Sequence, residues 1–235
     1  GDTMVVVEPD FLVDVTDVRS WVQCPRMYYL NKIGGLPLVY PVVKGTIVHE
    51  VFGDLLRGRD VDAAVTDQVE AAGLELGLLG RDAETVARDV ADHARAIEGW
   101  LSQGTLTTRE GGTDVTGAFG PDASEWRSEM TLVSERYGIK GRADALRRGM
   151  PVELKTGKNT RREPRFHDKV QAAAYALILG ERASRRTTAA EAMADGGDTS
   201  ALDAAPDTGT LLYTKNAAVD RTEADGDLSP AKEFS

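Results

Sequence analysis

Apolar positions in the first hundred residues recur at three- and four-residue intervals, the spacing of helices with one buried face. After a short apolar run, Met4 to Val7, that reads as an edge strand or a tail, Val18, Trp21, Val22, Tyr28 and Tyr29 mark a helix. Thr16 or Asp17 would cap it, Gly34-Gly35 would stop it, and Pro25, just after Cys24, should kink or restart it. A second helix is predicted from about Gly45 to Arg57, where Ile47, Val48, Val51, Phe52, Leu55 and Leu56 form a broad stripe with His49 at its margin. Two more follow over 61–79 and 81–103, divided at Gly80; they form a helical insertion, 60–104, with His93 on its solvated side.

Beyond residue 104 the period changes. A stretch rich in Gly, Thr and Asp, 104–123, reads as a loop or weak hairpin, and Trp126 to Ser134 alternates as a strand. Ile139 to Leu146 and Pro151 to Leu154 are two further strands, joined by the turn-prone Arg148-Gly149-Met150-Pro151. A helix from about Pro164 to Arg182 places Ala174, Leu177 and Ile178 toward the core and Gln171 and Tyr175 on a common face. Residues 183–208 have almost no large apolar groups and are expected to be a mobile insertion, before strands at 210–215 and 217–222. Ser229-Pro230 has the form of a helix start with little chain after it, so a fragment of a longer protein is expected. The expected fold class is α/β: a single domain over 1–235 with a central mixed sheet of four or five strands, flanked by helices.

Composition narrows the setting. The chain has 235 residues, enough for a substantial core, and its 41% hydrophobic content is ordinary for a globular protein. It contains no run long enough to span a bilayer and no basic-then-apolar leader, so a cytoplasmic location and no membrane partner are expected. One cysteine, Cys24, excludes an internal disulfide and a multi-cysteine metal site built by this chain alone.

The net charge of -10 hides an island of opposite sign. Between Arg136 and Gln171 there are eleven Lys or Arg against four Asp or Glu, a local excess of seven positive charges. Such an island is the footprint expected for a polyanion, although basic clusters are also often only solvated surface. The acidic remainder, rich in Asp and Ala, has the composition of proteins from salt-loving organisms.

Candidate chemistry lies inside that island. Alternation puts Glu153 and Lys155 on one face of their strand, with Leu154 pointing into the core. Asp144, expected to end the preceding strand, can meet them, so two carboxylates and an ammonium converge as a hard-cation site or, alternatively, as a surface salt-bridge ladder. Glu129 either supports that site as a further carboxylate or pairs with an arginine. His49 is a hydrogen-bonded structural residue or a neutral imidazole ligand, and Cys24 is a small buried hydrophobe or a ligand. Gln171 and Tyr175 either hold a DNA backbone or mark an ordinary amphipathic boundary.

Taken together, Cys24 in QCPRMYYL, His49 in KGTIVHEVF, Asp144 in GRADAL, Glu153 and Lys155 in VELKTGK, and Gln171 to Tyr175 in QAAAYAL resemble the PD-(D/E)XK nucleases of the RecB type. The resemblance is greatest to the nuclease domain of the Dna-two helicase-nuclease and to the Cas-four group. It implies a restriction-endonuclease-like fold and divalent-metal-dependent hydrolysis of DNA, on single strands or flaps in replication or repair. A role in CRISPR spacer acquisition and a non-cleaving DNA-binding module are the alternatives. By this resemblance His49, Asp144, Glu153 and the Leu154 backbone carbonyl would ligate Mg²⁺ or Mn²⁺. Asp144, Glu153 and Lys155 would be catalytic, and Gln171, Tyr175, Lys158, Arg161 and Arg162 would bind DNA. A helicase domain in the same or another chain is the implied partner. These families also hold an iron-sulfur cluster on four cysteines, of which Cys24 matches the first. Either its other ligands lie beyond Ser235, the favoured alternative, or the cluster has been lost; with one thiolate no cluster is expected in this chain itself.

Overall fold

The computed structural model describes residues 12–35, 37–103, 126–147, 149–159, 163–193, 209–217 and 231–234. A six-stranded mixed sheet lies between two helical layers. Strand β1 (Val13–Asp14) leads into helices α1 (Val15–Gln23) and α2 (Pro25–Gly34). Helices α3 (Tyr40–Leu56), α4 (Val61–Ala71), α5 (Gly73–Leu78) and α6 (Ala83–Gln103) follow. Strands β2 (Trp126–Ser134), β3 (Ile139–Arg147) and β4 (Met150–Lys155) then run as an antiparallel meander. Helix α7 (Phe166–Met193) carries the chain to β5 (Gly209–Tyr213), parallel to β4, as a helical crossover between parallel strands requires. A helical turn, α8 (Thr214–Ala217), and β6 (Ala231–Phe234), antiparallel to β5, complete the order.

Local chemistry accounts for most element boundaries. The Asp14 side chain accepts from Thr16 N at 2.8 Å and caps α1, ahead of the Thr16 or Asp17 cap expected. Cys24 separates α1 from α2, whose first residue is Pro25, a position where a missing N–H costs nothing. Gly35, at φ 72°, ends α2 in a conformation that other residues rarely adopt. Helix α3 begins at Tyr40-Pro41, earlier than the expected Gly45, again with proline in its first turn. Ala72 divides the expected 61–79 helix into α4 and α5.

Several expectations are corrected. The sheet has six strands among the described residues, not four or five. Helix α7 continues to Met193, through the first part of the segment expected to be mobile. Ala217 closes α8 instead of opening a strand, and 231–234 form β6 where a helix start had been read. Leu177 is half exposed, while Ala174 and Ile178 do face the core. The expected edge strand at 4–7, the whole 104–123 loop, most of the final 217–222 strand and the later part of the 183–208 insertion lie outside the described residues.

Two apolar clusters sandwich the sheet. On one side Val48, Val51, Phe52, Val65, Val90 and Ile97 from α3, α4 and α6 pack against Ala145, Val152, Leu154 and Leu212, so the inserted helices share a core with the strands. On the other, Val15 of α1 and Ala174, Tyr175 and Ile178 of α7 pack against Leu132, Ala143 and Leu146. Each fully buried large aliphatic or aromatic group removes about 1.5–3 kcal/mol of apolar exposure, an upper estimate relative to an extended chain.

One irregularity shapes the middle of this sheet. Met130 packs on the α7 side, but Trp126, four residues earlier and of the same parity, packs on the α3 side; Ala143 and Ala145 on β3 are likewise split. Strict alternation forbids both, so the paired strands turn over between these positions. The turnover coincides with Glu129, the non-glycine residue with positive φ (56°) among those described. The pairs on either side, Ser128 with Ala145 and Met130 with Ala143, set Glu129 across from Asp144.

Candidate functional site

Strand β3 has neighbours of two kinds along one edge: β1 pairs with Ile139 and Lys140, and β4 pairs from Ala145 onward. Asp144 lies between the two pairings, where its side chain can reach past its own strand. Its Oδ2 accepts the Leu154 backbone N–H at 2.7 Å, and its Oδ1 is 3.1 Å from His49 Nδ1 on α3. Asp144 therefore sits three residues inside β3 and not at its end.

The next strand supplies the second half of the cluster. Glu153 and Lys155 extend together from β4, as alternation requires, while Leu154 is buried on the opposite side. Lys155 Nζ donates to Glu153 Oε1 and to Gln171 Oε1, both at 2.8 Å. Gln171 Nε2 in turn donates to Glu153 Oε1 at 2.6 Å. An ammonium only donates and a carboxylate only accepts, so the amide of Gln171 has one orientation that satisfies both. Glu153 Oε2 remains buried with no hydrogen-bond partner among the described residues.

A cavity of about 330 Å³ collects these groups: His49, Asp144, Glu153, Lys155 and Gln171 line it together with Asp14, Thr16, Arg19 and Arg142. Asp14 is already engaged in capping α1. Arg19 Nε donates to Asp168 Oδ1 at 2.9 Å, and Asp168 is held from the other side by the Tyr213 hydroxyl at 2.8 Å. Arg142 Nε lies 2.5 Å from Glu129 Oε2, so Glu129 both pairs with an arginine and borders the Asp144 site.

Electrostatics divides the two central carboxylates. Burial pushes Asp144 upward, but the charges of His49 and Lys155 and the Leu154 N–H outweigh it and hold the group below the usual carboxylate range. Glu153 is pushed up by burial and by the Asp144 charge, only partly countered by Lys155. Burial lowers the His49 imidazole, yet the neighbouring Asp144 carboxylate raises it further, so the net shift is upward.

The chemistry of the donor set fits a hard divalent cation: one imidazole and two carboxylates around one cavity, one oxygen of the second carboxylate, Glu153 Oε2, being buried and unpartnered among the described residues. Among the described residues no three His, Cys, Asp or Glu side chains stand as a ready-made cage. His49 is turned to Asp144, and Glu153 to Lys155 and Gln171, so the candidate ligands are engaged with their neighbours.

Other expected site residues are distributed differently. Tyr175, expected to face DNA beside Gln171, is fully buried; its hydroxyl donates to the Arg142 carbonyl at 2.9 Å and supports the site from beneath. Lys158 is exposed on the loop after β4 and does not line the cavity, and its carbonyl accepts from Arg165. Arg161 and Arg162 lie outside the described residues. Cys24, half buried at the α1–α2 break, is a free thiol. His93 is not solvated: it is buried, and its Nδ1 lies 2.7 Å from Thr214 Oγ1.

Arg19 and Arg142 were not singled out from sequence. Arg142 stands two residues before Asp144 in GRADAL and was within reach of a period-two argument. Arg19 had no such signal, because it joins the cavity only through the packing of α1 on α7.

A search among curated proteins finds no match. Residues 1–149 match the family described as DNA replication factor Dna2; the matched segment includes Cys24, His49 and Asp144 and ends before Glu153, Lys155 and Gln171. No described helix is long and apolar enough to cross a membrane. With the match covering 149 of 235 residues, this chain belongs to the Dna2 family of DNA replication factors.

Proposed function

We propose that the chain is a divalent-metal-dependent deoxyribonuclease of the PD-(D/E)XK type, hydrolysing phosphodiester bonds of single-stranded or flapped DNA. The observation that carries this reading is the meeting of Asp144, Glu153 and Lys155, from adjoining strands, in one cavity where a buried Glu153 oxygen lacks a partner. Lys155 and Gln171 both engage Glu153 Oε1, which leaves Oε2 as a spare acceptor beside Asp144 that suits a ligand.

His49, Asp144 and Glu153, with the Leu154 carbonyl, are the residues that would hold Mg²⁺ or Mn²⁺. When bound, such an ion offsets the charge that develops on the phosphoryl oxygens and makes a bound water a better nucleophile. The chain's own groups prepare that chemistry. Asp144 is kept ionised by His49, Lys155 and the Leu154 N–H. Glu153 is fixed by Lys155 and Gln171, and a cation beside it would favour its charged form. Lys155 holds a positive charge where an attacking water or a phosphate oxygen would lie, and Gln171 sets its direction.

The test is a labelled single-stranded oligonucleotide incubated with Mn²⁺, Mg²⁺ or EDTA, beside Asp144→Ala. Metal-dependent scission that falls by at least about a hundredfold in the variant supports the reading. Binding with no metal-dependent scission would instead identify a non-cleaving DNA-binding module.

A further inference from the structure

We propose that Arg19 and Arg142 form a phosphate-binding clamp at the cavity, contacting a backbone phosphate of a single-stranded polynucleotide beside the reacting one. The proposal rests on the nuclease reading and deepens it by assigning residues to substrate binding. Its basis is the way the two guanidinium groups are held. Each Nε lies against a carboxylate from a different element: Arg19 donates a hydrogen bond to Asp168 of α7, and Arg142 forms an ion pair with Glu129 of β2. Neither makes a hydrogen bond through its terminal amino groups among the described residues.

Arginines elsewhere in the molecule behave differently. Arg57 reaches Asp54 and Ser128, Arg59 reaches Asp54 and Asp67, and Arg165 reaches the Lys158 carbonyl, all through terminal nitrogens. Those arginines hold structure together and have little left to offer. A guanidinium anchored at Nε keeps its two-pronged end free, the geometry that recognises a phosphate through two parallel hydrogen bonds. Anchoring also removes part of the side-chain freedom that binding would otherwise have to overcome. The Arg142 side chain is 66% exposed and that of Arg19 26%, so both are accessible, and both line the cavity that contains Asp144 and Lys155. Lys155, engaged with Glu153 and Gln171 on the same cavity, adds a third positive charge.

The test is equilibrium binding of a fluorescent oligothymidylate to the full chain in EDTA, which prevents scission, across a series of salt concentrations. Arg142→Ala should weaken binding about tenfold and reduce the slope of log affinity against log salt by about 0.7, the loss of one phosphate contact on a single strand. Because removing Arg19 would strand the buried Asp168, Arg19→Lys is the matching variant. Its single ammonium stays with Asp168, and affinity should fall comparably at unchanged thermal stability. Arg95→Ala, on an exposed ion pair of α6, is the control and should bind as the parent does. A parent slope retained in both cavity variants overturns the clamp while leaving the nuclease reading standing. A parent chain that binds no oligonucleotide at any salt overturns both.

Discussion

Glu129 stands across from Asp144 in the β2–β3 pair, and at these two residues both strands exchange the faces they present to the helical layers. The exchange gives Asp144 access to His49 on the α3 side and to the Leu154 N–H at the point where β4 takes over from β1. Its cost is local: Glu129 has φ 56°, a conformation about 1–2 kcal/mol unfavourable for a residue with a Cβ. Glycine in a regular strand is normally less stable than alanine. Here the order should invert, with Glu129→Gly melting about 2–4 °C above Glu129→Ala, since both lose the Arg142 pair but only glycine relieves the backbone. Calorimetry of the two variants decides it, and alanine melting higher would show that the turnover does not depend on this residue's conformation.

Gly141 tests the layer beneath the site. A Cβ there would lie 2.9 Å from Tyr175 Cε1 and 3.0 Å from Val15 Cβ, between a fully buried ring and α1. Neither neighbour is the free end of a flexible chain. Gly141→Ala should therefore destabilise the fold by about 1–3 kcal/mol, read as a lower urea midpoint at unchanged slope. A midpoint equal to the parent's would mean that Tyr175 moves easily, and that the Arg142 carbonyl is not fixed by it.

Gln171 joins Glu153 to Lys155 without being a candidate ligand or proton donor itself. Gln171→Leu keeps the volume and removes both bonds. Cleavage rate under saturating DNA should fall about 10–100-fold, as for other residues that orient a site from behind, while the Kd for DNA in EDTA stays within about twofold. Loss of affinity with an unchanged rate would make Gln171 a DNA contact instead.

His93 gives a pH dependence. Burial, then the Lys44 charge, hold its imidazole below the ordinary histidine range, against the opposing pull of Asp89. The unfolded chain therefore binds the proton more readily than the folded one. Stability from this group is present above about pH 6.5 and is lost as pH falls through that value toward the lower folded pKa. Urea midpoints at about pH 7.5 and about pH 5.5 should differ less in His93→Gln than in the parent chain. An unchanged difference would assign the pH effect to other groups.

The legible parts of this molecule are those with short-range causes. The Pro25 restart, the Glu153-Leu154-Lys155 alternation and the three strands of the meander follow from spacing over a few residues. The tilt of Asp144 toward α3 does not, because it depends on a left-handed residue on the neighbouring strand. Shared-face spacing joins Gln171 to Tyr175, whose Nε2 and hydroxyl lie 3.4 Å apart, yet it carries no information about which layer the pair faces, and Tyr175 is core. His93 and Thr214 are 121 residues apart, and Arg19 and Asp168 are 149 apart; such pairs exist only once the helices are docked. Helix α7 runs past Arg182 to Met193 although the added run is poor in large apolar groups, because alanine itself favours helix.

The proposed nuclease requires His49, Asp144 and Glu153 to share one divalent cation. Titration of the chain with Mn²⁺, followed by the loss of the free-ion electron paramagnetic resonance signal, measures this without reference to cleavage. One ion should bind per chain, with affinity lowered at least about tenfold in each of Asp144→Asn, Glu153→Gln and His49→Ala. Unchanged Mn²⁺ uptake in Asp144→Asn and Glu153→Gln would contradict it.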